Sequence, residues 1–263
     1  MGNVVIATPV LSDASVLTAS SANSSFPVSN LLDMQLSQVW RSTSTTASLT
    51  LNLGSTQSLN FFALLGGNAT ATATVRIRTA NSEANLTASP SYDSTAQSFY
   101  TGVQYAKKNF IWFVPSASIS NSWVLIDIVD TSNAAGYIEL GRVYVANAWQ
   151  PTKNIVFDWS LSWRDDSPRF KTLGNNTFVT AKPRYRVLEC SLEYLTEFEM
   201  YTNAFEIDRT RGSSSDILVL VDPDAAATRR NQWTVYGTMS ELTPITNPAF
   251  NIFTKRYIVE EIL

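Results

Sequence analysis

The sequence predicts a mainly β protein built from two units, and three observations carry that reading. Charged residues make up only 16% of the chain, against about 25% in an ordinary soluble domain. Ser, Thr and Asn fill the difference, which favours strands and turns over long helices. Short apolar segments recur between polar turns at the spacing of a sandwich. Charge density then changes part-way. Residues 1–147 hold 6 basic and 7 acidic side chains, whereas the shorter stretch 148–263 holds 13 and 15. That change places a boundary at residues 147–151, so the expected units are 1–147 and 148–263.

Within the first unit, residues 28–36 predict one short helical turn. Residues 48–53 (SLTLNL) put Leu49, Leu51 and Leu53 on one strand face. Gly54 and Ser55 read as a turn. Residues 59–65 (LNFFALL) form a continuous apolar run, expected for a strand buried on both sides. Residues 74–78 alternate, with Val75 and Ile77 inward and Arg76 and Arg78 outward. Residues 109–114, 123–129 and 137–145 complete the strands.

The second unit reads as β with one helix. Residues 155–163 and 184–194 predict strands. In the latter, Leu188, Cys190, Leu192 and Tyr194 share the apolar face. Thr196 and Glu199 have capping-box spacing. They open a helix whose expected apolar stripe is Phe198, Tyr201, Ala204 and Phe205. Arg209 and Arg211 suit its C-terminal dipole, and Gly212 ends it. Residues 217–221 (ILVLV) predict a buried central strand, closed by a turn at Asp222-Pro223-Asp224. Residues 232–242 and 253–262 predict two more strands.

Composition narrows function. There is no histidine and one cysteine, Cys190. The usual general base and the His-based triads are therefore absent, as are an internal disulfide and a thiolate metal cluster. Neither phosphate-loop motif occurs. The acidic pairs Asp165-Asp166, Asp222/Asp224, Glu197/Glu199 and Glu260-Glu261 are read as turn, cap or opposite-face residues rather than a glycosidase pair. The Asp222 pair could offer oxygen ligands to calcium, but a turn is the preferred reading. Trp159 and Trp163 are expected to pack the core. Net charge is −3, without a basic run, so nucleic-acid binding is not expected. No apolar stretch is long enough for membrane insertion. The expectation is a protein without enzymatic activity or cofactor.

Two sets of strings resemble known families. SNLLDMQLSQVWRS, SLTLNLG, FFALLGGN, TVRIR and YIELGRVYVA, over about residues 25–147, resemble discoidin-like (galactose-binding-like) jelly-roll domains, with Leu32, Asp33, Trp40, Leu49, Leu51, Leu53 and Gly54 at the matching positions. GRVYVANAWQP, WRDDSPRFKTLGNN, KPRYRVLECSLEYLTEFE and EIDRTRGSSSDILVLVDPD, over about residues 141–263, resemble distal-tail and tail-tube modules of tailed bacteriophages. The resemblance implies a jelly-roll β-sandwich followed by a β-sandwich or barrel with one packed helix. It also implies a virion protein of the tail tip, a homo-oligomeric ring of three-fold or six-fold symmetry joining the tail tube to baseplate hub proteins. The alternative is a carbohydrate-binding minor tail protein that contacts a host surface glycan. A third reading is an accessory module of a bacterial enzyme. Jelly-roll domains of this kind hold ligands in loops at one end, here residues 33–48, 66–72 and 104–110. Arg41 and Asn68 are the candidate glycan contacts in those loops.

Overall fold

The computed structural model describes residues 2–99 and 110–263. It is mainly β, as the composition implies. The chain forms two compact units. The first comprises Met1–Thr152, Asp216–Thr234 and Leu263, and the second comprises Lys153–Ser215 and Val235–Ile262. The units are therefore not two consecutive stretches divided once near residue 147. The physical reason lies in strand pairing. Val5–Ala7 pairs antiparallel with Asp216–Leu220, which draws the ILVLV segment into the first unit.

The first unit is an antiparallel sandwich. One sheet runs in the order Val16–Ala19, Thr46–Leu59, Ile119–Val129, Thr74–Ala80 and Tyr92–Asp93, with Gln97–Ser98 also on Thr74–Ala80. The other runs Trp40–Arg41, Glu139–Ala146, Phe61–Gly67 and Phe110–Phe113. Leu49, Leu51, Val75, Ile77, Val124 and Ile126 meet Trp40, Phe62, Leu64, Leu140, Val143 and Val145 in the core. Facing sheets with alternating inward residues produce that interior. The second face of the smaller sheet is covered as well, since Phe61, Ala63, Leu65 and Tyr144 are all buried. This is why residues 59–65 read as an unbroken apolar run.

The expected turn at Gly54 is instead an irregularity inside a 14-residue strand, Thr46–Leu59. Pairing with Ile119–Val129 shifts register there, and Gly54 has φ +77°. A residue in that region is easiest as glycine. Residues 28–32 form the expected turn as a 3-10 helix, Val28–Leu32.

The second unit holds the antiparallel strands Thr234–Met239, Ile252–Glu261, Tyr185–Leu195 and Ser160–Arg164, with Thr246–Ala249 on Ile252–Glu261. Ser160–Arg164 covers only part of the strand expected at 155–163, and Trp163 is exposed rather than packed in the core. Leu188, Cys190 and Leu192 point inward, but Tyr194 does not, because the register shifts between Leu192 and Leu195. The Thr196–Glu199 capping box is present in both directions, and Gly212 ends the helix at φ +54°.

Of the expected apolar stripe, only Ala204 is buried. Phe198, Tyr201 and Phe205 are exposed, whereas Met200, Ala204 and Ile207 face inward. A π-helical turn over Met200–Ala204 rotates the later residues relative to a regular helix. Lys255 is fully buried and ties the helix to the sheet, donating to Asp208 Oδ2 at 2.5 Å and to the Thr243 carbonyl at 2.7 Å.

Candidate functional site

Arg41 ends the short strand Trp40–Arg41, which pairs with the start of Glu139–Ala146. Trp40 anchors that strand: its ring is buried and its indole N–H donates to the Ser21 carbonyl at 3.1 Å. Alternation along a strand then sends Arg41 outward. Its guanidinium lies 4.0 Å from the Phe26 ring centre and 4.2 Å from that of Tyr137. It also donates to Glu139 Oε2, from Nη2 at 2.7 Å and from Nε at 3.2 Å. Both side chains remain 25% exposed.

Asn68 follows the strand Phe61–Gly67 and reaches residues 137–139, which carry Tyr137 and Glu139. Its amide N–H donates to the Tyr137 carbonyl at 3.0 Å, and its Oδ1 accepts the Glu139 N–H at 2.8 Å. The structure thus brings Arg41 and Asn68 together. Arg41 engages the side chains of Tyr137 and Glu139, and Asn68 holds their backbone. Asn68 is therefore placed as a clip rather than as an open contact.

The segment that carries Tyr137 is pinned from below. Buried Asp130 accepts from the Thr70 N–H at 2.9 Å and from Asn133 Nδ2 at 3.1 Å. Asn133 Nδ2 also donates to the Asn68 carbonyl at 3.2 Å. At Gly67 a Cβ would meet the Glu139 carbonyl oxygen at 2.4 Å, so only glycine allows this close approach. The result is a cleft of about 270 Å³ at one end of the sandwich, lined by Phe26, Val39, Arg41, Gly66 and Glu139 among others.

This arrangement offers aromatic surface, guanidinium N–H donors and a carboxylate acceptor, all held before a ligand arrives. Such groups match the alternating C–H faces and hydroxyls of a sugar ring. Phe26, Tyr137 and Glu139 were not singled out by sequence. Glu139 lies 98 residues from Arg41 and meets it only through strand pairing. Of the expected loops, 33–48 and 66–72 contribute to the cleft, and residues 104–109 lie outside the described residues.

The acidic pairs are occupied elsewhere. Glu199 caps Thr196, and Glu261 and Glu260 pair with Arg186 and Arg164. Asp166 accepts from the Tyr185 hydroxyl at 2.6 Å. Asp165 is lowered to about 2 by hydrogen bonds from Ser167 and then by Arg184. Asp222 Oδ1 accepts the N–H groups of Asp224 at 3.0 Å and Gly2 at 3.1 Å, the geometry of a turn. Among the described residues, no group of three or more His, Cys, Asp or Glu is placed to hold a metal ion.

No family model matches this sequence, and no curated protein matches it. Among solved structures the chain is similar to several carbohydrate-binding modules over about half its length. The family 32 CBM from C. perfringens NanJ, in complex with galactose, is 16% identical, with 54% of this chain and 98% of that chain covered at a TM-score of 0.40. Chitosan-binding module 1 of the chitosanase/glucanase from Paenibacillus sp. IK-5 is 20% identical, with 51% and 96% covered at 0.36. CpGH89CBM32-5 from Clostridium perfringens, in complex with GalNAc-beta-1,3-galactose, is 15% identical, with 53% and 99% covered at 0.37.

Proposed function

We propose that this chain is a non-catalytic glycan-binding protein whose first unit holds a sugar in the Arg41 cleft. One observation carries the reading: Arg41 is clamped between Phe26 and Tyr137 and paired to Glu139 in an open cleft. A guanidinium packed between two rings and fixed by a carboxylate has lost most of its freedom already, so little entropy remains to be lost on binding. A glycan array on the full chain, followed by calorimetry on its hits, tests this. Binding should fall at least tenfold in both Arg41→Ala and Glu139→Gln. Undiminished binding by both variants, with their melting temperatures unchanged, would remove the cleft from consideration.

A second reading is favoured by a separate observation. The second unit exposes Phe170, Phe178, Phe198, Tyr201 and Phe205. Surface of that kind fits an assembly protein. In this reading the chain is a component of a phage tail tip, made in the host cytoplasm, in which the second unit forms a ring with tail-tube and baseplate hub partners. The glycan cleft then serves host contact. Mass measurement of the full chain in solution tests it, since a structural ring component assembles with itself as concentration rises.

A further inference from the structure

The first unit carries a second cleft, at the end of the sandwich opposite the Arg41 site. Gly67, at one end of the strand Phe61–Gly67, lines the first cleft. Phe113, which pairs with Phe62 at the other end of that strand, lines the second. Every residue lining the second cleft belongs to the first unit. It encloses about 470 Å³ and shares Tyr92, Pro115 and Ser116 with a groove of about 310 Å³ that continues past Ser118 and Ser120 to Asn121. Asn121 is buried, and although its Nδ2 donates to Thr79 Oγ1 at 2.7 Å, its Oδ1 has no hydrogen-bond partner.

Arg230 is the charged group that sets this cleft apart. Its guanidinium lies 4.9 Å from the centre of the buried Trp112 ring. The indole N–H donates to Thr234 Oγ1 at 3.2 Å, and that hydroxyl donates to the Arg230 carbonyl at 2.7 Å. One threonine thus holds the ring and the arginine backbone together. Among the described residues, no carboxylate pairs with Arg230 and no acceptor takes its guanidinium N–H groups, and its Nε is buried without a partner. Arg41, by contrast, is neutralised by Glu139. A partly enclosed guanidinium with no counter-charge favours an anion that brings both charge and acceptors. Asp224 also lines the cleft but is exposed, where water and salt screen it.

We infer that this cleft is a second glycan site, which takes an acidic oligosaccharide with its carboxylate or sulfate on Arg230. The rest of the lining suits sugar. Tyr92 presents a ring that is fixed by near-parallel stacking on Phe62 at 6.4 Å. Gln97 and Gln150 use their amide N–H groups on the Ser94 and Asn3 carbonyls, which leaves their amide oxygens as acceptors for hydroxyls. The Ser116 hydroxyl adds a further polar contact. The continuing groove gives room for more than one ring, which a lone inorganic anion does not need. Net charge is −3, so the attraction is local to Arg230 rather than a property of the whole chain. The site is separate from the Arg41 cleft and does not depend on it.

Calorimetry on the full chain provides the test, with trigalacturonate, its neutral methyl ester and sulfated galactotriose as probes. Wild type is expected to bind an acidic probe about tenfold or more tighter than the neutral ester. Whether trigalacturonate or the sulfated sugar binds tells carboxylate from sulfate. Arg230→Gln should remove the preference. Should that variant melt early, Ser116→Trp replaces it, since Ser116 is exposed and a large ring there fills the cleft from outside. Arg229→Gln removes the same charge from the neighbouring exposed residue, which packs on Trp233 instead, and should leave binding unchanged. Arg41→Ala should leave it unchanged too. Equal losses in Arg229→Gln and Arg230→Gln would overturn the inference, as would a wild-type chain that binds neither acidic probe. Loss in Arg41→Ala with full binding by Arg230→Gln would move the acidic sugar to the first cleft, overturning the second site while the glycan reading stands. Acidic-probe binding that needs Arg230, beside neutral-glycan binding indifferent to Arg41 and Glu139, would support the second site and sink the first.

Discussion

Arg142 donates from Nε to Asp216 Oδ2 at 3.0 Å across 74 residues of sequence, and both side chains are almost completely buried. Tyr144 adds its hydroxyl to the same oxygen at 2.7 Å. Asp13 and the Leu31 carbonyl take further guanidinium N–H bonds. Burial alone would lower the Arg142 pKa, but Asp216 and Asp13 outweigh it and the group is held above its ordinary value. This network fastens Asp216 to the strand Glu139–Ala146 within the first unit.

Asp216→Ala is expected to be among the most destabilising single changes in the first unit. It leaves a buried guanidinium short of its main counter-charge, and breaking a buried pair from one side costs about 3–5 kcal/mol. Replacing both partners, as Arg142→Met with Asp216→Leu, should cost much less, because no charge is then stranded. Urea unfolding of the three proteins checks this. Equal losses in the single and double variants would contradict it.

Gly67→Ala separates geometry from chemistry at the candidate site. The new Cβ would lie 2.4 Å from the Glu139 carbonyl oxygen, so the pairing of Phe61–Gly67 with Glu139–Ala146 must give way at that end. Glu139 and Tyr137 would move with it. We expect glycan affinity to fall several-fold although no contact group is altered, together with a stability loss of about 1–3 kcal/mol. Calorimetry and thermal melting report the two effects. Intact affinity would show that the position of Glu139 does not matter to binding.

Much of this was legible in the sequence, and the failures have physical causes. Leu49, Leu51, Val75 and Ile77 announced their faces because strand periodicity is local. Tyr194 and Phe205 did not, because a register shift and a π-helical turn each displace the pattern without any local signal. The place of residues 216–220 in the first unit was hidden too, since an apolar strand does not name its partner. At the site, Arg41 and Asn68 were reachable from loop position. Tyr137 and Glu139 were not, although a Tyr-X-Glu entry to a strand after a polar loop was a usable hint.

Neutralising Glu139 should change glycan binding in kind as well as degree. Glu139→Gln keeps the shape but replaces a charge-assisted acceptor, a change of about 1.5–3 kcal/mol where a charged partner is lost. It also loosens Arg41, which would keep its two ring contacts but face a neutral amide oxygen in place of the carboxylate. The expected result is weaker binding with a more unfavourable entropy, read by calorimetry. Weaker binding with unchanged entropy would point to a lost ligand contact alone, without the clamping role.

Cys190 gives the sharpest pH prediction. The thiol lies on the strand Tyr185–Leu195 opposite Tyr257 and is 2% exposed. Burial pushes its pKa up to about 12. The native thiol should therefore resist aromatic disulfide reagents at pH 8, and fast labelling would contradict its burial. The sign of the stability effect follows from proton binding. An unfolded thiol releases its proton near pH 8.5, whereas the folded one keeps it. The contribution is fully present below about pH 8.5 and is lost progressively as pH rises from there towards about 12. Cys190→Ser removes this alkaline slope. It also costs about 1–3 kcal/mol at neutral pH, because a hydroxyl is costlier than a thiol to bury on an apolar strand face. Denaturant unfolding of both proteins from pH 7 to pH 10 checks the two effects together. Wild type should lose stability faster than the variant above pH 8.5, and parallel curves would refute the raised thiol.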